Sequence, residues 1–233
     1  MIRAWRGQQV QVMHPNQMIE PDYAAQRREM VERQLRRRGI HDQGVLDAML
    51  VIPRHEFVPE EFRGQAYEDK PISIGEGQTI SQPFIVAAMI EAMELTGKEK
   101  VLEVGAGSGY AAAIISRLAA MVYTIESHPR LATAAHERLA RLGFMNVAVH
   151  TGDGSAGLPE AAPFDAILVA AAAPIVPQPL VSQLANRGRM AIPIGDEGAQ
   201  ELVVMKKLNG EIHSRTLHHC SFVPLVGRYG FSR

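Results

Sequence analysis

Three glycines spaced two apart, Gly105, Gly107 and Gly109, follow the apolar run Val101–Val104 and precede a second apolar stretch that begins at Tyr110. Glycine at such a strand-to-helix turn permits positive φ and lets a ligand approach the backbone without meeting a Cβ. Ala106 and Ser108 complete the loop. Acidic residues surround it: Glu103 inside the strand end, Glu126 at the end of the next strand, and Asp153 within Gly152-Asp153-Gly154. A carboxylate in the position of Glu126 can accept both hydroxyls of a ribose, and one in the position of Asp153 can accept from an adenine amino group. Taken singly, either residue reads equally well as a helix cap or a turn residue. With the loop beside them, a nucleoside-binding site is the better reading. Glu103 fits two roles, facing an ammonium group or packing under the loop.

The spacing narrows the ligand. A dinucleotide fingerprint wants a small residue at position 110, where this chain has Tyr, and a triphosphate loop wants a Lys-Ser/Thr pair that is absent. An adenosine-bearing ligand without phosphates suits a carboxylate-lined site, and S-adenosyl-L-methionine is such a ligand.

These residues need a scaffold. Segments Lys100–Val104, Met121–Ile125, Val147–His150, Phe164–Val169 and Arg189–Ile194 read as strands, separated by helices over Tyr110–Ala119, from Pro129 with Leu131, Ala135, Leu139 and Leu142 at helical spacing, and over Leu180–Ala185. Strands that are apolar on both faces and alternate with helices imply a parallel sheet covered on both sides. The rhythm then breaks. Gln200–Leu208 and Glu211–His218 flank Asn209-Gly210, a strong hairpin signal. The expected fold class is therefore α/β: a doubly wound, mostly parallel, Rossmann-like sheet with a C-terminal antiparallel hairpin and N-terminal helices. Those helices are expected over Pro21–Arg38 and His41–Leu50, and an apolar one opens at Pro83. Between them, Arg54–Gln82 is irregular and punctuated by Pro and Gly. Residues 1–20 form an expected loose tail, and 21–233 one domain. Within it, 21–82 carries the helices and a substrate loop, and 83–233 the cofactor-binding core.

The chain resembles the protein-L-isoaspartate O-methyltransferases over roughly Met30 to Gly227. The resemblance rests on Val51-Ile52-Pro53-Arg54-His55-Glu56-Phe57-Val58-Pro59, on Gly75-Glu76-Gly77-Gln78-Thr79-Ile80-Ser81-Gln82-Pro83, and on Glu103 to Tyr110. Gly152-Asp153-Gly154, Ala171-Ala172-Ala173-Pro174 and Phe222-Val223-Pro224-Leu225 add to it. It implies methyl transfer from S-adenosyl-L-methionine to the free α-carboxylate of L-isoaspartyl residues in damaged proteins and peptides, a protein-repair reaction. The implied substrate-binding residues are Gln78, Thr79, Ile80 and Ser81. Ser81 stands near the acceptor carboxylate as the catalytic side chain, or else caps the helix that follows. The implied cofactor site is Glu103, Gly105, Ala106, Gly107, Ser108, Gly109, Glu126, Asp153 and Gly154. Many relatives carry Thr or Gly where this chain has Ala170.

Composition sets outer limits. In 233 residues there are 24 Lys+Arg against 25 Asp+Glu, a net charge of −1, with 46% hydrophobic and 21% charged residues. That excludes a disordered chain and argues against a protein that coats nucleic acid or anionic membrane. A single cysteine, Cys220, excludes an internal disulfide and a multi-thiolate metal site. His218 and His219 point to opposite faces of a strand and share no ligand spacing with other donors, so no metal is expected. The arginines at 27, 28, 33, 36, 37 and 38 read as a solvated helix face paired with Glu29 and Glu32 rather than as an RNA patch. With no spanning run of about 18 apolar residues and no signal-type N-terminus, the expected location is cytoplasmic. Two alternatives remain: a methyltransferase for another acceptor, or a catalytically silent module that binds S-adenosylmethionine or RNA.

Overall fold

Each apolar segment from Lys100 onward pairs with its neighbours in a computed structural model of the chain, which describes residues 22–196 and 198–232. The tail expected over residues 1–20 lies outside the described residues. In chain order the elements are α1 (Tyr23–Glu29), α2 (Gln43–Val51), β1 (Ile72–Gly75), β2 (Gln78–Ile80), α3 (Pro83–Glu91), β3 (Lys100–Val104), α4 (Tyr110–Ser116) and β4 (Met121–Glu126). There follow α5 (Pro129–Arg141), β5 (Val147–Thr151), β6 (Phe164–Val169), α6 (Gln178–Gln183), β7 (Leu184–Asp196), β8 (Ala199–Leu208) and β9 (Glu211–Cys220).

Seven strands form one sheet in the order β5-β4-β3-β6-β7-β8-β9. Pairings from β5 to β7 are parallel, and β7–β8 and β8–β9 are antiparallel. The chain leaves β3 toward β4 and β5 and then returns to β6 on the other side, so the order reverses at β3. A crevice opens at the carboxyl ends of the strands at such a switch point. Successive residues of β3 feed opposite cores. Val101 joins Ile85, Ile114 and Leu139 on one face, while Leu102 and Val104 join Ile167, Leu180 and Met190 on the other. This two-residue alternation explains why β3 carries apolar residues on both faces, with Glu103 the buried exception. At the far end, Asn209 (φ 53°) and Gly210 (φ 89°) are both left-handed, as a tight two-residue hairpin requires.

Several expected boundaries move. The helix read over Pro21–Arg38 is α-helical only through Glu29; a π-helical turn over Met30–Leu35 and a 3-10 turn over Arg36–Arg38 follow. The widened turn leaves Met30 and Leu35 both fully buried. The segment read as irregular, Arg54–Gln82, contains two 3-10 turns and the antiparallel hairpin β1–β2. Its strands are three and four residues long, too short to show a period against so many prolines and glycines. The arginine segment pairs as expected, Arg33 with Glu29 at 2.8 Å and Arg36 with Glu32 at 3.3 Å.

Candidate active site

The carboxyl end of β3 runs directly into the glycine loop. Gly105, Gly107 and Gly109 have φ of 94°, 51° and 86°, which side chains rarely adopt, so the loop turns tightly into α4. Glu126, at the adjacent end of β4, is 5% exposed and braces it. Its Oε2 accepts from the Gly107 N–H at 2.9 Å, and its Oε1 accepts from the His128 N–H at 3.0 Å. The carboxylate is thus held at the rim by two backbone donors, with lone pairs left for a ligand. Glu126 thus ties two elements together, the glycine loop through Gly107 and the start of α5 through His128.

Loop and carboxylate line a cavity of about 530 Å³, within the range of small-molecule sites. It reaches from Glu126 and His128 past Gly105 and Gly107 to Gln78, Thr79, Ile80 and Ser81, with Phe222–Val226 forming one wall. Among the described residues no Lys or Arg lines it, so nothing there is built to neutralise a phosphate. Glu103 also lines it and is 1% exposed. One of its oxygens accepts from the Thr124 hydroxyl at 2.5 Å; the other, Oε1, is buried without a protein partner. Burial, opposed in part by the Thr124 bond and reinforced by nearby Glu126, pushes the Glu103 carboxyl up to about 8. An orphaned, buried carboxyl beside a second carboxylate fits a ligand that brings cationic groups, as S-adenosylmethionine does.

The facing wall is the β1–β2 hairpin. Ile74 reaches over the loop: a Cβ on Gly107 would stand 3.3 Å from its Cδ1. Ser81 follows β2 and lines the cavity. The capping role is not what the geometry shows, since Gln82 occupies the N-cap of α3 and no side chain caps it. Two struts hold this strip, one buried and one half-buried. Arg54, fully buried, donates Nε to the Ala66 carbonyl at 2.7 Å and Nη2 to the Ser81 carbonyl at 2.8 Å, with its guanidinium 4.9 Å from the Tyr110 ring centre. Gln82 Nε2 donates to Asp69 Oδ2 at 2.8 Å, and Asp69 in turn pairs with Arg38. His55 stacks on Tyr23 and shares a 2.8 Å bond with the Tyr67 hydroxyl, which locks the preceding loop. Arg54 is the residue that sequence reasoning passed over. Its block Val51–Pro59 was visible, but nothing local distinguishes a buried strut from a surface cation.

Asp153 is not gathered into this cavity. Its Oδ1 accepts from the Ser155 N–H at 2.9 Å and hydroxyl at 2.6 Å, and its Oδ2 from the Arg228 N–H at 2.8 Å. It lines a smaller neighbouring hollow with Ser127, Gly152 and Phe231. Its side chain thereby pins the C-terminal segment, whose residues Phe222–Val226 wall the main cavity. Gly154 does line the main cavity, and its glycine has a packing reason: a Cβ would stand 2.5 Å from Val104 Cγ1. Ala170 has its Cβ 3.5 Å from where a Gly105 Cβ would be, so a small residue there leaves the loop room.

The family model of protein-L-isoaspartate(D-aspartate) O-methyltransferase matches residues 25–230. The chain belongs to this family. Among its relatives, the protein-L-isoaspartate O-methyltransferase of Roseiflexus castenholzii is 52% identical over 211 residues, 91% of this chain and 96% of that one. That of Methanoculleus marisnigri is 50% identical over 206 residues, 88% of this chain and 94% of the relative. A solved protein-L-isoaspartate O-methyltransferase superposes with a TM-score of 0.77 at 31% identity, covering 88% of this chain and 67% of its own. A Plasmodium falciparum structure, described as a putative member in complex with S-adenosyl-L-homocysteine, gives 0.72 at 29% identity, covering 84% of this chain and 96% of that one. As a family member the chain is an S-adenosylmethionine-dependent methyltransferase for isoaspartyl carboxylates in proteins, which settles the choice among acceptors left open by the sequence.

Proposed function

We propose that this protein-L-isoaspartate O-methyltransferase binds S-adenosyl-L-methionine along Glu103, the Gly105–Gly109 loop, Glu126 and Gly154, and takes the isoaspartyl acceptor along Gln78–Ser81. The observation that carries this assignment is the polarity of the cavity. Its carboxyl groups gather at the glycine-loop end, and an uncharged strip of hydroxyl, amide and backbone groups faces them.

The cofactor supplies an electrophilic methyl on a positively charged sulfur. The acceptor carboxylate, with an ordinary pKa near 4, is already ionised at neutral pH, so the chain need not supply a base. What the residues must do is align oxygen and methyl at about 3–3.5 Å. They must also keep water out while opposite charges merge, because bulk water favours the separated ions. Ser81 is the side chain to donate one orienting hydrogen bond to the acceptor. Glu126 takes the ribose hydroxyls while holding Gly107 in place. Asp153 contributes indirectly, by fixing the C-terminal wall near the adenine end. Ile74 and Phe222 exclude water from opposite sides.

Among the described residues no helix is long and apolar enough to cross a membrane, which supports a cytoplasmic location. Four of the six arginines of the N-terminal segment are paired within the chain, Arg33 with Glu29, Arg36 with Glu32, Arg38 with Asp69 and Arg27 with the Leu50 carbonyl, which supports reading this segment as a paired surface helix rather than a nucleic-acid patch. The test is methyl incorporation from labelled S-adenosylmethionine into an isoaspartyl peptide and its aspartyl isomer. Label in the first alone is expected; equal labelling, or none, would reject the assignment.

A further inference from the structure

The peptide between Ser108 and Gly109 ends the glycine loop, and its two polar atoms are held from different sides. The Gly109 N–H donates to the Ala106 carbonyl at 2.7 Å, inside the loop. The Ser108 carbonyl points the opposite way, as a trans peptide requires, and among the described residues no backbone N–H reaches it. Its donor is Arg138 of α5, whose Nη1 stands 2.8 Å away. Ser108 is 6% exposed, so this carbonyl would be left buried and unpaired without that side chain.

Arg138 has no other evident task. Arg130 and Arg141 of the same helix are exposed and pair with Glu76 at 3.4 Å and Glu56 at 3.0 Å, whereas Arg138 is half-buried and forms no ion pair among the described residues. Its neighbours on α5 press on the same place. A Cβ on Gly109 would stand 3.2 Å from Leu139 Cδ1 and 3.5 Å from the Ala135 Cβ, so the helix lies directly behind the third glycine. Arg138 itself does not line the cavity.

We propose that Arg138 is a positioning residue for the cofactor, which by holding the Ser108 carbonyl from behind keeps the glycine loop in its binding shape before S-adenosylmethionine arrives. This rests on the assignment of that end of the cavity to the cofactor. Glycines at 105, 107 and 109 let the loop turn, and the same freedom lets its peptide planes rotate. Rotation of the Ser108–Gly109 plane would break the bond to Ala106 and strand the carbonyl. Arg138 opposes it from α5, as Glu126 fixes the Gly107 N–H from β4. A loop ordered in advance costs a ligand less to bind. Because the guanidinium stands behind the loop, this ordering places no cation against a positively charged sulfur.

The test compares full-length wild type, Arg138→Met, Arg138→Lys and Arg141→Met by calorimetry with S-adenosylhomocysteine, by steady-state kinetics and by amide hydrogen exchange without ligand. Met keeps the apolar stem and helix propensity while removing the donor. In R138M, affinity for S-adenosylhomocysteine should fall about ten-fold, the low end for loss of a hydrogen bond from a charged donor. KM for S-adenosylmethionine should rise in step, while kcat and the KM for an isoaspartyl peptide at saturating cofactor hold. Exchange over residues 105–110 should quicken in R138M. R138K, which can still donate, should recover most of the affinity and protection, and R141M should match wild type. Wild-type affinity in R138M, equal losses in R138M and R141M, no recovery in R138K, or a lower melting temperature with affinity intact would each overturn the proposal. If wild type itself takes up no S-adenosylhomocysteine, the cofactor assignment falls and this proposal with it.

Discussion

Arg54 and Ser81, 27 residues apart, are joined by one hydrogen bond from a fully buried guanidinium to a backbone carbonyl, at 2.8 Å. The same side chain holds the Ala66 carbonyl, so one residue sets where the acceptor strip ends and α3 begins. Arg54→Lys keeps the charge but loses the two-pronged geometry. Losing one hydrogen bond from a charged donor costs about 1.5–3 kcal/mol, roughly ten- to a hundred-fold in kcat/KM for an isoaspartyl peptide if it is felt at the reacting atoms. Affinity for S-adenosylhomocysteine, measured by calorimetry, should stay near wild type. A parallel loss of both would assign Arg54 to general stability instead.

Ser81→Ala is expected to lower kcat with little change in cofactor affinity. A single neutral hydrogen bond is worth about 0.5–1.5 kcal/mol, so the loss should be a few-fold to about ten-fold. The melting temperature should hold, because Gln82 and not Ser81 stands at the N-cap of α3. A lower melting temperature with normal turnover would restore the capping role.

Glu126→Ala should weaken S-adenosylmethionine binding by about 1.5–3 kcal/mol through lost bonds to a charged acceptor. It also strips Gly107 of its backbone partner, so the unliganded protein should melt earlier as well. Unchanged affinity by calorimetry would remove Glu126 from the ribose role.

The Glu103 carboxyl makes stability depend on pH in a definite direction. It ionises near 4.5 when unfolded and near about 8 in the fold. Between those values the unfolded chain has released a proton that the folded chain keeps, so stability falls as pH rises through this window and levels off above it. Glu103→Gln has no proton to lose. Its melting temperature should exceed that of wild type at the upper end of the window, and the gap should close below the lower end. Thermal melts at both ends check this, and cofactor affinity should drop in the same variant.

For Asp153 the sign is opposite. Burial raises its carboxyl, but the Ser155 and Arg228 bonds outweigh that and hold it below its usual value. Its contribution is present above the ordinary carboxylate range and is lost as pH falls through the folded value. Asp153→Ala should loosen the C-terminal segment at neutral pH, seen as faster proteolysis near Arg228 and weaker cofactor binding. Protection equal to wild type would show that Val226 and Phe231 secure that segment without it.

Local chemistry wrote much of this molecule into the chain. Apolar strands, the glycine spacing at 105, 107 and 109, and the turn at Asn209-Gly210 each depend on residues within a few positions of one another. The parallel α/β alternation and the terminal hairpin follow from them, and so does the placement of Glu126 at a strand end, whereas the order of the strands across the sheet comes only from the fold. Three further things were decided only by the fold. The hairpin β1–β2 exists because Ile72 and Ile80 find the core, although its strands are too short to carry a pattern of their own. Asp153 turns from the ligand cavity to the C-terminal segment because Arg228, 75 residues away, offers its N–H there. Arg54 is buried because two carbonyls that helix and sheet cannot satisfy converge on it. Periodicity and spacing report what neighbours in sequence can do; which polar groups are left needing a partner is known only once distant segments meet.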